Sequence, residues 1–264
     1  MKNLNKKKIE FNKLSFSLIK KENQWTQMGL VVLATDLTIE TETRYFLSQG
    51  GSNSRPISLM HSRIQCDDKV TSSNLEMMQD RFSESLALFP SNYAFDVIGY
   101  GCTSASLLIG EQKIMKIIKS YVNVREVTTP LTAVKRGLNA LGAKKIGYLA
   151  PYISEISLTM CQNLSAEGFE ISAAATFGED KDSVVGNITP SSIMKAIDSL
   201  VETSKDLEAI FVSCTSLKCA QIIPIMEKKY NIPIISSNSA IAWDMARLGN
   251  SIVSAKGKGA LFSI

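Results

Sequence analysis

Short apolar runs alternate with amphipathic helical stretches along nearly the whole chain, and this alternation limits the fold more than any other feature. The runs GLVVLATD (29–36), PISLMHSRI (56–64) and AFDVIGYGCTS (94–104) read as buried strands. So do KIGYLAPY (145–152), FEISAAATF (169–177), AIFVSCTS (209–216) and IPIISSN (232–238). Between them the apolar residues fall at helical spacing. Leu107, Leu108, Ile114, Ile117 and Ile118 fall mostly on one face, Leu131, Val134, Leu138 and Leu141 share another, and Ile193, Ile197, Leu200 and Val201 a third. Thr129-Pro130 and Thr189-Pro190 are helix openings, with a capping hydroxyl followed by a proline in the first turn. Gly142 supplies a stop. Apolar strands alternating with helices specify an α/β fold with parallel sheets covered on both faces.

The tripeptide Cys-Thr-Ser occurs twice, at 102–104 and 214–216, each time closing a strand-like run. A chain of 264 residues accommodates two lobes of about 100–150 residues each. The repeat therefore predicts two similar α/β lobes related by a pseudo-twofold axis. The boundaries read as a basic N-terminal tail over 1–24, a first lobe over 25–128 plus 239–264, and a second lobe over 129–238. Ligands of open α/β sheets bind beyond the carboxyl ends of the strands, where both Cys-Thr-Ser segments stand. A helix start there favours anions and thiolates. Cys102 and Cys214 are thus candidate acid–base or nucleophilic groups, and Thr103, Ser104, Thr215 and Ser216 candidate carboxylate cradles. A small buried role stands beside the functional one for both cysteines, since Cys is among the most buried residue types; the repeated context tips the reading toward function. Cys66, Cys161 and Cys219 read as structural.

Charge and composition exclude several classes. The formal net charge is +4, yet residues 1–21 hold seven Lys against one Glu, so the remainder is slightly acidic. That distribution gives no basic face for nucleic acid. No apolar run approaches the roughly 20 residues of a membrane span. Five Cys without a signal-peptide pattern point to reduced thiols and a cytoplasmic location. One His, His61, and no CxxC pair argue against a metal site. In GYGCTS the third glycine of a dinucleotide fingerprint is replaced by Ser104. No cofactor is expected.

Taken together, the twin cysteines, LATDLTIETE, VTTPLTA, YLAPYISEI and ITPSSI resemble the aspartate/glutamate/hydantoin racemase superfamily. The resemblance runs from Gly29 to Gly249 and is strongest to the branch of maleate cis-trans isomerases, arylmalonate decarboxylases and ectoine-utilisation racemase-like proteins. It implies two Rossmann-like lobes with the site in the cleft between them, two catalytic cysteines at Cys102 and Cys214, and a carboxylate-binding Tyr at Tyr152. Arylmalonate decarboxylases keep only the second cysteine, so Cys102 speaks against that activity. Where maleate isomerases carry an Asn, this chain has Asp36, which would repel a second carboxylate and suit an ammonium. Asp36 also fits a helix cap before LTIETE. Another family contact falls at Asp182 or Ser183. Asn238 and Ser239 read as caps of the last helix.

The leading expectation is a cofactor-independent racemase or isomerase of a small carboxylate, an amino-acid derivative in particular. One thiolate removes the α-proton and the other thiol returns one from the opposite face. Maleate-type addition of a thiolate to an alkene is the first alternative, and a non-catalytic carboxylate-binding protein the second. The resemblance is compatible with a homo-oligomer.

Overall fold

The computed structural model describes residues 11–18, 25–48, 55–69 and 71–264. Most of the basic tail expected over 1–24 lies outside the described residues.

The first half runs β1 (Thr26–Leu33), α1 (Ile39–Phe46), β2 (Ile57–Ile64), α2 (Ser72–Met77) and α3 (Phe82–Leu86), then β3 (Phe95–Gly101), α4 (Thr103–Ile109), α5 (Glu111–Tyr121) and β4 (Val124–Thr128). The second runs α6 (Pro130–Ala140), β5 (Lys145–Ala150), α7 (Ser154–Ala166), β6 (Glu170–Thr176), α8 (Asp182–Val185) and α9 (Pro190–Thr203), then β7 (Ala209–Val212), α10 (Ile223–Tyr230), β8 (Ile234–Ser236) and α11 (Ser237–Leu248). The strands form two parallel four-stranded sheets, ordered β2-β1-β3-β4 and β6-β5-β7-β8. The two orders are the same when each half is counted from its own first strand. Thus β3 and β7, which carry the Cys-Thr-Ser segments, hold equivalent places.

Local chemistry accounts for the elements. Leu30, Val31 and Val32 of β1 and Ile210, Phe211 and Val212 of β7 are fully buried, as strands covered on both faces require. Thr129 and Thr189 cap α6 and α9 by accepting the N–H of Thr132 and Ser192, both at 3.2 Å. The helical pattern from Leu107 to Ile118 divides at Gly110, whose φ of 94° ends α4 and opens α5. β4 was not anticipated: its VREV run is short and carries two charged residues. The last strand is also shorter than expected, because Ser236 already caps α11 in a reciprocal capping box with Ser239.

α11 packs against α6, α1 and β3. Gly101 makes a close approach possible: a Cβ there would lie 2.5 Å from Ile39 Cδ1 and 3.1 Å from the carbonyl of Val31. The start of α1 is thereby drawn against the end of β3, next to the first Cys-Thr-Ser. Among the described residues no helix is long and apolar enough to cross a membrane.

Candidate active site

Both motif cysteines line one pocket. Its wall also includes Thr35, Cys66, Asp67, Lys69, Thr103, Ser104, Tyr152, Asp182 and Thr215. It leaves about 20 Å³ for the centre of a water molecule, enough for a water or two.

Cys102 occupies the N-cap of α4. Its Sγ accepts the N–H of Ala105 at 3.4 Å and lies 3.6 Å from Ser104 Oγ. Those donors favour a thiolate, as expected at a helix start. Burial outweighs them and pushes the thiol up to about 12. Cys214 differs: it follows β7 into a turn, with a positive φ of 104° that side chains rarely adopt. Burial, and then the nearby Asp182 carboxylate, push its thiol well above the ordinary range.

Hydroxyls and carbonyls tie the two motifs together. Thr103 donates to Ser237 Oγ at 2.8 Å, and the same oxygen accepts the N–H of Cys214 at 3.0 Å. Thr215 donates to the carbonyl of Gly101 at 3.4 Å. Thr38 donates to the carbonyl of Ser216 at 3.0 Å. The hydroxyls of Thr103 and Thr215, read as cradles for substrate, thus make bonds within the protein.

The remaining anticipated residues have distinct placements. Tyr152 lines the pocket, 2 % exposed, and burial raises its phenol well above the usual range. Asp36 is buried beside the site, and Oδ1 accepts the N–H groups of Thr38 and Ile39 at 2.7 and 2.9 Å. It therefore caps α1, and desolvation raises its carboxyl. Ser216 lies behind the wall and donates to Asp182 Oδ1 at 2.8 Å. Of the pair Asp182 and Ser183, Asp182 reaches the pocket. Ser183 bonds Asp68 instead, its N–H and Oγ each at 2.8 Å from one carboxylate oxygen.

Three features had no clear sequence signal. Cys66, read as structural, lies on the pocket wall with its Sγ 3.3 Å from Thr35 Oγ1. The segment after β2 brings in Asp67 and Lys69. Asn238 holds the second motif, its Nδ2 donating to the carbonyl of Thr215 at 2.8 Å. Among the described residues no group of three or more His, Cys, Asp or Glu is placed to hold a metal ion.

The family model for arylmalonate decarboxylase matches residues 85–262, a span holding both cysteines. The chain belongs to the arylmalonate decarboxylase family. Within this family it is an enzyme of the cysteine-based isomerase and decarboxylase group. It is 26 % identical to a maleate isomerase of Nocardia farcinica over 245 residues, covering 89 % of this chain and 94 % of that one. Identity to an arylmalonate decarboxylase of Bordetella bronchiseptica is 27 % over 136 residues, 51 % of this chain and 57 % of that one. The fold matches a cysteine-to-serine mutant of the Nocardia farcinica maleate cis-trans isomerase with a covalently bound succinylcysteine intermediate. The TM-score is 0.81 at 23 % identity, covering 90 % of this chain and 98 % of that one. The two-lobed architecture of the arylmalonate decarboxylase family is therefore the architecture of this chain.

Proposed function

We propose that this chain is a cofactor-independent isomerase of a small unsaturated carboxylate, acting by cysteine addition to the alkene and elimination after bond rotation. The observation that carries the reading is the pair of cysteines on one pocket wall in unequal settings. Cys102 accepts the Ala105 N–H at its sulfur and has the Ser104 hydroxyl beside it, so it is the better thiolate. Cys214 lies beside a carboxylate, so it is the better-protected thiol.

In this reading the Cys102 thiolate attacks one alkene carbon, and the π electrons move toward the carboxylate on the other. Cys214 protonates that carbon, leaving a saturated thioether and a Cys214 thiolate. The former double bond is now single and rotates. Cys214 then takes the proton back, the C–S bond breaks, and the Cys102 thiolate leaves with the trans alkene formed. Relatives support this chemistry over the two-base racemisation expected first from the sequence. Similarity to a maleate isomerase extends over nearly the whole length, and the Nocardia farcinica mutant carries a covalent succinylcysteine.

The test is incubation of purified protein with cis-butenedioate and with its monoamide, followed by proton NMR. Cis-to-trans conversion is expected for at least one compound and none in Cys102→Ser. Intact-mass measurement of Cys214→Ser should show one added substrate on Cys102. Exchange of an α-hydrogen with solvent deuterium in saturated amino acids, with no alkene isomerised, would instead establish racemisation.

A further inference from the structure

Asp182 lies on the wall of the reactive pocket and is 6 % exposed. Its side chain is held from behind by two hydroxyls. Ser216 donates to Oδ1 at 2.8 Å, and Thr35 donates to Oδ2. Its backbone N–H is fixed to the carbonyl of Asp68 at 2.9 Å. Each hydroxyl has one proton to give, and both are spent on this carboxylate. A carboxylate offers about four acceptor positions, so Asp182 keeps acceptor capacity toward the pocket while its neighbours keep no hydroxyl proton for a ligand.

Charge completes the picture. Among the described residues that line the pocket, Lys69 is the only Lys or Arg, and it is exposed on the opposite lobe's segment. Asp67 shares that segment, and Asp36 lies buried close behind. A substrate carboxylate set against Asp182 would meet a like charge in a buried site, where the Ser216 and Thr35 hydroxyl protons are already committed. An N–H group would meet an acceptor.

Resting on the isomerase reading above, we propose that Asp182 selects a substrate whose far end carries N–H donors, an amide or an ammonium, and excludes a second carboxylate. The expected substrate is an unsaturated acid with one carboxylate to activate the alkene and one nitrogen-bearing end.

Saturated four-carbon probes separate this selection from the chemistry. Succinate, succinamate and 4-aminobutanoate are titrated calorimetrically into the full chain and into Asp182→Asn. The wild type should bind at least one nitrogen compound about tenfold more tightly than succinate. Whichever is preferred tells amide from ammonium. In Asp182→Asn, whose side chain both donates and accepts, the preference should disappear or reverse. Succinate bound as tightly as both nitrogen compounds, or no nitrogen compound bound, overturns the proposal on the wild type alone. An unchanged ratio in a folded Asp182→Asn, judged by its thermal melt, also overturns it. Turnover of the cis-butenedioate compounds tests the isomerase reading separately: binding selectivity without isomerisation sinks the chemistry and leaves the selection standing.

Discussion

Glu42 of α1 and Asn238 of α11 meet in a buried hydrogen bond of 2.9 Å, Nδ2 to Oε2. The other Glu42 oxygen accepts the N–H groups of Cys219 and Ala220 at 2.6 and 2.8 Å. One carboxylate from the first lobe thus holds the far end of the loop that follows Cys214 directly, and its start through Asn238, which also donates to the carbonyl of Thr215. Glu42→Gln places an N–H₂ where acceptors are needed and should cost about 2–3 kcal/mol in a urea titration. Turnover should fall more than the fit of substrate, so kcat drops with KM little changed. An Asn238→Ala variant should show the same kinetic signature.

The thiols should behave as weak acids. With burial pushing Cys102 up to about 12, its thiolate is scarce near pH 7. Alkylation of Cys102 by iodoacetamide should speed up by about tenfold per pH unit from pH 7 to 10, without a plateau. A plateau near pH 8.5 would mean that the thiol is not protected. The same shift links to stability. The folded value lies above the unfolded one, so the contribution is complete below about pH 9 and is lost as pH rises toward 12, at about 1.4 kcal/mol per unit.

Cys214 should invert the usual ranking of alanine and glycine. At its φ of 104° a Cβ is strained and glycine is not. Cys214→Gly should therefore be more stable than Cys214→Ala by about 1 kcal/mol, read from paired melts. Alanine the more stable of the two would show that the positive φ stores no strain.

Asp68 and Ser183, chain neighbours of the wall residues Asp67, Lys69 and Asp182, join the two halves through bonds of 2.8 Å to each carboxylate oxygen. With so little room inside, we expect this contact to part when a four-carbon acid enters. Asp68→Ala should speed alkylation of Cys102 and Cys214 at constant pH and raise KM. Unchanged labelling would place the entrance elsewhere.

Much of this architecture was readable from residue pattern because it rests on local rules. The Thr-Pro helix openings at 129 and 189 and the apolar strands ending at Cys102 and Cys214 depend on neighbours in the chain. β4 escaped because Arg125 and Glu126 interrupt an apolar run that only pairing with β3 completes. Asp182 and Cys66 were hard to place for a related reason. Both lie after edge strands, and only sheet order brings them beside the two thiols. The capping role of Asp36 is local, because the two N–H groups it accepts follow it immediately. Its distance from the pocket wall is set by the packing of α1, which no spacing records.

The repeated strand order has a consequence for which way round a substrate lies. Two equivalent halves facing one another would build a chamber whose two ends are interchangeable, and an unsymmetrical molecule would enter it in either direction. Here the loop after β2 contributes Cys66 and Lys69, while the loop at the matching place after β6 contributes Asp182. The two loops thus carry different groups, and the chamber has a head and a tail. In the proposed reaction, Cys102 as nucleophile and Cys214 as proton carrier would then meet defined carbons, and a pseudosymmetric scaffold would run a directional reaction.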